Sequence, residues 1–132
     1  MPVIRPLLWF GFVLWMVVVF WLSSLTPKDL PPVPAWEGVD KVAHVIMYIA
    51  GACALCMALR ATVSWRWLAV ILVTVVVVSF YGVTDEYHQL YTPGRSGGDV
   101  GDWIADFTGA VIGSMVIIFL YGLFERRRKK TG

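Results

Sequence analysis

The chain has 132 residues, of which 58% are hydrophobic and only 15% are charged, and its formal net charge is +2. Soluble domains are about half apolar and about a quarter charged, so this composition and the long apolar runs exclude an ordinary soluble domain and indicate a membrane protein. A chain that crosses a membrane several times leaves few residues for a separate soluble core. We therefore predict a single transmembrane domain over residues 1–132.

Four apolar segments stand out, at residues 7–25, 42–59, 67–84 and 103–124. A helix needs about 20 apolar residues to cross the hydrocarbon core, and residues at the membrane interface can complete the shorter segments. The sequence therefore predicts an all-α integral membrane bundle of four transmembrane helices. The proline-rich segment 26–39 predicts an extended connection between the first two helices, because proline cannot continue a helix.

Basic residues near the ends of the predicted helices indicate the orientation, because lysine and arginine are retained on the cytoplasmic side. Positions 5, 60, 66 and 126–130 are basic on the side that carries both termini, against positions 28, 41 and 95 on the other side. We therefore expect both termini in the cytoplasm. The run 126–130 is interpreted as a juxtamembrane anchor facing anionic lipid and not as a nucleic-acid-binding segment.

Polar residues gather near the extracytoplasmic ends of the last three predicted helices. Their spacing of three or four residues places them on one face of each helix. The second helix contributes Asp40, His44 and Tyr48, the third contributes Tyr81, Asp85 and His88, and the fourth contributes the stripe Asp102, Asp106, Gly109 and Gly113. Glycines at four-residue spacing let a neighbouring helix approach closely, so this stripe is expected to face protein and not lipid.

The convergence of charged groups from three helices predicts a functional site. A carboxylate or imidazole inside the hydrocarbon costs roughly 2.5 to 3.5 kcal/mol, so such groups face a cavity or one another and commonly carry function. The alternative for each single residue is structural. Asp40, Asp99 and Asp102 are of a type that caps helix N-termini, and His44 could simply satisfy a buried carboxylate.

The chemistry of this set has two readings. Two imidazoles with several carboxylates could perform general acid and base catalysis, or they could hold a divalent metal ion such as zinc or manganese. The residue pattern leaves both readings open, so whether the protein is an enzyme and whether it uses a metal cofactor stay unassigned. The candidate catalytic residues are His44, Asp85, Glu86 and His88.

Arg95 adds a group of a different kind, between Pro93-Gly94 and Gly97-Gly98. Its guanidinium fork suits bidentate binding of a phosphate or carboxylate, and the alternative is a salt bridge to a nearby aspartate. An arginine at an acidic extracytoplasmic site suggests a phosphorylated lipid or a lipid-linked headgroup. The candidate substrate-binding residues are Asp40, Lys41, Tyr48, Tyr81, Gln89, Arg95, Asp102 and Asp106.

In these residues the chain resembles the VanZ-like family of small bacterial membrane proteins, named for an accessory protein of glycopeptide (teicoplanin) resistance. The resemblance covers most of residues 40–113. It rests on Asp40-Lys41 with His44 and Tyr48, on Tyr81-Gly82, on Asp85-Glu86-Tyr87-His88-Gln89, on Pro93-Gly94-Arg95, and on Asp102, Asp106, Gly109 and Gly113. Many members carry Asn where this chain has Asp106. The resemblance implies a helical bundle in the bacterial cell membrane and a link to glycopeptide resistance, but no settled reaction.

The leading hypothesis is a VanZ-like protein whose extracytoplasmic site binds, and in a catalytic version modifies, a phosphorylated lipid or a lipid-linked envelope precursor. In the catalytic version His88 or His44 is the base, Asp85 or Glu86 orients it, and Arg95 holds the phosphate. The alternative is a noncatalytic accessory protein that associates through its helices, as a homo-oligomer through Gly109 and Gly113. A proton or ion pathway is disfavoured, because the inner half of every predicted span is apolar.

Overall fold

A computed structural model describes residues 3–30, 32 and 38–131, and these residues form four α-helices and no β-strand. The helices are α1 (Ile4–Ser24), α2 (Val39–Thr62), α3 (Trp67–Gln89) and α4 (Val100–Thr131). Each of these described helices is long and apolar enough to cross a membrane. The predicted all-α class and the predicted set of spans are therefore confirmed.

The helices extend beyond the apolar segments that predicted them. Helix α2 begins at Val39, so that Asp40 and Lys41 lie in its first turn. Helix α4 has 32 residues, or about 48 Å of helix, against about 30 Å of hydrocarbon core. The basic residues at 126–129 therefore continue the same helix past its apolar part. Much of the predicted extended connection, at 31 and 33–37, lies outside the described residues.

Within the described chain, helices α2 and α3 each contact the other three helices, whereas α1 and α4 share no contact. The interface of α2 and α4 is close because Gly109 and Gly113 face α2. A Cβ atom at position 109 would lie 2.5 Å from the carbonyl oxygen of Val45, and one at position 113 would lie 2.5 Å from that of Ile49. The prediction that this stripe faces protein is confirmed. Self-association through it would require α2 to be displaced.

Helix α1 is attached to the bundle through Trp15. The indole Nε1 donates a hydrogen bond of 2.9 Å to the carbonyl oxygen of Met47, and the ring lies 5.4 Å from the ring of Tyr48 and 5.3 Å from that of Tyr81. The Tyr81 hydroxyl donates a hydrogen bond of 2.6 Å to the carbonyl oxygen of Met16. Tyr81, a predicted substrate-binding residue, is therefore used to pack α1 against α3.

Candidate functional site

Polar side chains meet where α2 and α4 begin and where α1 and α3 end, and we call this region the polar end. Asp40, Lys41 and His44 of α2, Asp85, Glu86 and Gln89 of α3, and Asp102 and Asp106 of α4 form it, together with Asp99 and Arg95 of the loop between α3 and α4. Asp85, Glu86, Gln89, Asp102 and Asp106 are buried. The predicted convergence of three helices is therefore present in the structure.

The centre of the polar end is a pair formed by His44 and Asp106. Nδ1 of His44 lies 2.8 Å from Oδ1 of Asp106, whose side chain is 0% exposed. When Asp106 is ionised its carboxylate only accepts hydrogen bonds, so the contact then places a proton on Nδ1 of His44 and leaves Nε2 available. Nε2 lies 3.9 Å from Oδ2 of Asp102. The carboxylate that orients His44 is thus Asp106, and not Asp85 or Glu86 as the catalytic hypothesis expected.

Gly82 makes room for this pair on the side of α3. A Cβ atom at position 82 would lie 2.5 Å from Oδ2 of Asp106. The absence of a side chain at Gly82 lets α3 pass directly over the carboxylate. Burial of Asp106 therefore depends on a glycine of another helix. Gly82 is among the residues that carry the family resemblance, but the sequence spacing did not indicate its contact with Asp106.

Lys41 connects the beginnings of α2 and α4. Its Nζ lies 2.7 Å from Oδ1 of Asp102, 3.0 Å from Oδ2 of Asp99 and 3.5 Å from Oδ2 of Asp40. The Lys41 ammonium holds the pKa of the Asp99 carboxyl below its ordinary value, and the backbone N–H of Gly101 acts in the same direction. Lys41 thus neutralises part of the acidic surface and is a neighbour of the His44 pair.

Asp99, which the sequence predicts as a possible helix cap, has that role in the structure and a second one. Its Oδ1 accepts a hydrogen bond of 2.7 Å from the backbone N–H of Gly101, which is the geometry of an N-cap of α4. Its own backbone N–H donates a hydrogen bond of 2.9 Å to Oε2 of Glu86. Asp40 and Asp102 lie within the first turns of α2 and α4 instead.

Glu86 completes a group with the character of a metal site. One ligand atom from each of His44, Glu86 and Asp102 lies within 4.8 Å of the other two. Imidazole nitrogen and carboxylate oxygen are ligands that zinc and manganese accept. We call Lys41, His44, Glu86, Asp99, Asp102 and Asp106 the ionic cluster.

A cavity of about 350 Å³ lies beside the ionic cluster, between α1, α2 and α3. His44 belongs to both the cavity wall and the cluster. The polar lining is Ser23, Asp40, His44, Tyr48, Asp85, Gln89 and Arg95, and the apolar lining is Val19, Leu22, Leu30, Val39, Ala43 and Met47. The cavity therefore has both an apolar and a polar wall, next to titratable side chains.

Arg95 reaches this cavity from the loop between α3 and α4. Gly94 and Gly98 have φ of 79° and 80°, values that favour glycine, and these turns flank the arginine. Nη2 of Arg95 donates a hydrogen bond of 3.0 Å to the carbonyl oxygen of Leu22, near the end of α1. Within the described part of the chain Arg95 forms no salt bridge with an aspartate, so that alternative is wrong.

The second predicted base, His88, lies apart from the first. Its Nε2 is 3.0 Å from Oγ of Ser24, and its ring packs at 4.6 Å against that of Phe20. It does not line the cavity. On the same turn of α3, Asp85 and Gln89 line the cavity instead, and Nε2 of Gln89 donates a hydrogen bond of 3.0 Å to Oδ2 of Asp85. The two histidines are therefore not brought together.

Comparison with family models gives a match described as VanZ/LLP1, over residues 7–121. The match contains the whole polar end and extends beyond the 40–113 on which the resemblance rests. No curated protein matches the chain, and no solved structure matches it.

Proposed function

Because the chain belongs to the VanZ/LLP1 family and has a cavity with both an apolar and a polar wall at its polar end, we propose that this membrane protein binds a phosphorylated lipid or a lipid-linked envelope precursor there. The observation that carries the proposal is the position of Arg95. It places a permanent positive charge in a cavity that also has an aliphatic wall. A molecule with a phosphate and a hydrocarbon chain could contact both Arg95 and the aliphatic wall of the cavity.

The donors of Arg95 support this choice of ligand. Nη2 is bonded to Leu22, but the buried Nε finds no hydrogen-bond partner among the described residues. A buried donor without a partner is unfavourable by about 1 to 3 kcal/mol, so a ligand oxygen at this place would stabilise the site. Phosphate oxygens are good acceptors for a guanidinium group, because they accept more than one of its N–H groups at once.

The acidic part of the cavity wall restricts which headgroups could bind. Asp40 and Asp85 line the same cavity as Arg95. Carboxylates accept hydrogen bonds from hydroxyl and amino groups and repel a bare phosphate. The proposed ligand therefore carries its phosphate at Arg95 and hydroxyl or amino groups toward the aspartates.

Modification of the headgroup is the catalytic form of the proposal. His44 is the titratable side chain common to the cavity and the ionic cluster, and Asp106 holds its ring in one orientation. A histidine with a fixed tautomer is suited to proton transfer or to metal binding next to a substrate. The noncatalytic alternative, an accessory protein that binds lipid without turnover, predicts ligand retention and no product.

We expect Arg95→Ala protein in nanodiscs to retain at least about tenfold less co-purifying phosphorylated lipid than wild type, since a hydrogen bond to a charged group contributes about 1.5 to 3 kcal/mol. Lipid mass spectrometry measures the bound lipid and any product formed from native extract. A product made by wild type and lost in His44→Ala would establish the catalytic form.

Two controls belong to this experiment. Thr92→Val removes the neighbouring hydrogen bond of 3.1 Å to the carbonyl oxygen of Ser23 without changing the cavity wall, and Arg66→Ala removes an exposed positive charge at the other end of the bundle. Both are expected to retain lipid as wild type does. Equal lipid loss in Thr92→Val and Arg95→Ala would assign the effect to the attachment of the loop to α1 and contradict phosphate binding.

Teicoplanin susceptibility of cells expressing wild type or Arg95→Ala tests the resistance link.

The proposal places the polar end on the extracytoplasmic face of a bacterial cell membrane, with both termini in the cytoplasm. Charge supports this, because the exposed Arg66 and the basic end of α4 lie at the opposite end of the bundle. In a Cys53→Ala/Cys56→Ala background we expect a membrane-impermeant maleimide to label Ser96→Cys in intact cells and Ser64→Cys only after permeabilisation. The reverse pattern would place the cavity in the cytoplasm.

A further inference from the structure

We infer that His44, Glu86 and Asp102 bind one divalent cation at the polar end. The three side chains come from α2, α3 and α4, and each offers a ligand atom within 4.8 Å of the other two. The site is therefore assembled by the packing of three helices, next to the cavity that contains His44.

Each proposed ligand is held by a different partner through its other polar atom. Asp106 binds Nδ1 of His44 at 2.8 Å, Lys41 binds Oδ1 of Asp102 at 2.7 Å, and the backbone N–H of Asp99 binds Oε2 of Glu86 at 2.9 Å. These contacts leave Nε2 of His44, Oδ2 of Asp102 and Oε1 of Glu86 as the ligand atoms. Metal ligands are commonly oriented in this way, and a carboxylate on the second histidine nitrogen fixes the tautomer that binds metal.

A separate observation on Glu86 supports cation binding. Glu86 is 4% exposed, and its Oε1 is buried with no hydrogen-bond partner in the described ranges. A buried carboxylate oxygen without a partner is strongly unfavourable. A cation bound by Glu86 together with His44 and Asp102 would remove this cost, because it would give the unused carboxylate oxygen a positively charged partner.

The distances suit a small transition-metal ion. Nε2 of His44 and Oδ2 of Asp102 are 3.9 Å apart, and two ligands that each lie about 2.0 to 2.2 Å from one ion are about 3 to 4 Å apart. One nitrogen with two oxygens favours Zn²⁺ or Mn²⁺ over Ca²⁺, which prefers oxygen ligands alone and in larger number. Three protein ligands leave at least one position for water or a substrate oxygen.

The charge at the site favours a cation. The ionic cluster contains the carboxylates of Glu86, Asp99, Asp102 and Asp106, and of these Glu86, Asp102 and Asp106 are buried. Lys41 is the permanent cation among them, and its ammonium is shared between Asp102 and Asp99. The carboxylates therefore outnumber the lysine, and a bound divalent cation would reduce the cost of burying them together.

The assignment also decides between the two chemical readings of His44. When Nε2 is a ligand, His44 is not free to act as a base, and the cation takes its place as the group that polarises a substrate oxygen or activates water. That the cation acts on a phosphorylated headgroup rests on the proposed function. Cation binding itself does not depend on lipid.

The test uses the full chain in nanodiscs, treated with EDTA, exchanged into chelator-free buffer and titrated calorimetrically with Zn²⁺ and, separately, Mn²⁺. We expect one ion per chain and an affinity at least about 100-fold lower in Glu86→Gln, because it loses a direct ligand. Asp106→Asn, which changes only the partner of His44, is expected to lose about 10- to 100-fold. Glu125→Gln, which removes an exposed carboxylate elsewhere on α4, is expected to bind as wild type.

Two measurements keep the test decisive if a variant fails to fold. Wild type that binds neither ion, or folded Glu86→Gln that binds as wild type, would overturn the assignment. Pulsed electron paramagnetic resonance of wild type with Mn²⁺ is expected to show coupling to a histidine nitrogen, and its absence would also overturn it. The two proposals can fail separately: cation binding without lipid retention contradicts the proposed function alone, and lipid retention without cation binding contradicts the metal site alone.

Discussion

Replacing Gly113 with leucine is expected to lower the free energy of unfolding by about 3 kcal/mol or more, at or above the upper end of the usual cost of overpacking. A Cβ atom there would lie 2.5 Å from the carbonyl oxygen of Ile49 and 2.8 Å from Cβ of Ala52. Backbone atoms of α2 cannot move aside as a flexible side chain can, so α2 and α4 would have to separate. Thermal unfolding of the purified protein in detergent measures the loss.

Gly122→Leu is the matched control, because it makes the same change on the same helix. A Cβ atom at position 122 meets nothing within 4 Å, and leucine is a better helix former than glycine by several tenths of a kcal/mol or more. Its unfolding midpoint is expected to equal or exceed that of wild type. If Gly113→Leu were as stable as Gly122→Leu, the close contact of α2 with α4 would be wrong. A crosslinked oligomer that survives in Gly113→Leu would exclude self-association through this stripe.

Removing one member of the His44 and Asp106 pair is expected to destabilise the protein by about 3 to 5 kcal/mol, and removing both is expected to cost much less than the sum. His44→Leu leaves Asp106, which is 0% exposed, as a buried carboxylate without its partner. The double variant His44→Leu/Asp106→Leu replaces the whole pair by apolar groups. The cycle is measured by thermal or denaturant unfolding of protein treated with chelator, so that a bound cation does not contribute.

The contact of His88 with Ser24, at the margin of the bundle, provides a double-mutant cycle for comparison with that of His44 and Asp106. Those side chains are 3.0 Å apart and exposed. The coupling between His88→Leu and Ser24→Ala is expected to stay at or below about 1 kcal/mol, because an exposed hydrogen bond exchanges with water. Equal coupling energies in the two cycles would mean that the contact of His44 with Asp106 is no more buried than that of His88 with Ser24, and would contradict the arrangement of the polar end.

The number and type of the helices were predictable from the sequence. Apolar runs long enough for the bilayer leave helices as the structure that satisfies their backbone hydrogen bonds in lipid. The boundaries were less predictable, because a helix does not stop where its apolar segment stops. Helix α2 starts at Val39, before the predicted 42, and α4 continues to Thr131, beyond the predicted 124. Basic residues near a helix C-terminus are compatible with its dipole, so they extend α4 and do not terminate it.

Part of the polar end was also predictable. A spacing of four residues places Asp102 and Asp106 on one face of α4, and the same spacing places Asp40 and His44 on α2. The cost of charge in lipid turns these faces toward one another. Spacing could not identify Asp106 as the partner of His44, because the two residues lie on different helices. It also could not show that His88 lies away from His44 and Asp106, because the sequence of α3 does not fix how that helix is rotated or which helices it contacts.

The sequence by itself therefore determined that the protein crosses the membrane with helices, which face of each helix carries the polar groups and which end they share, because these depend on local length, spacing and transfer free energy. The tertiary structure decided which groups touch. Gly109 and Gly113 bring α4 against α2, and Gly82 lets α3 cover Asp106. Those close approaches select the pairing of His44 with Asp106 and place Glu86 beside it, since contact between residues far apart in the chain depends on how the helices pack.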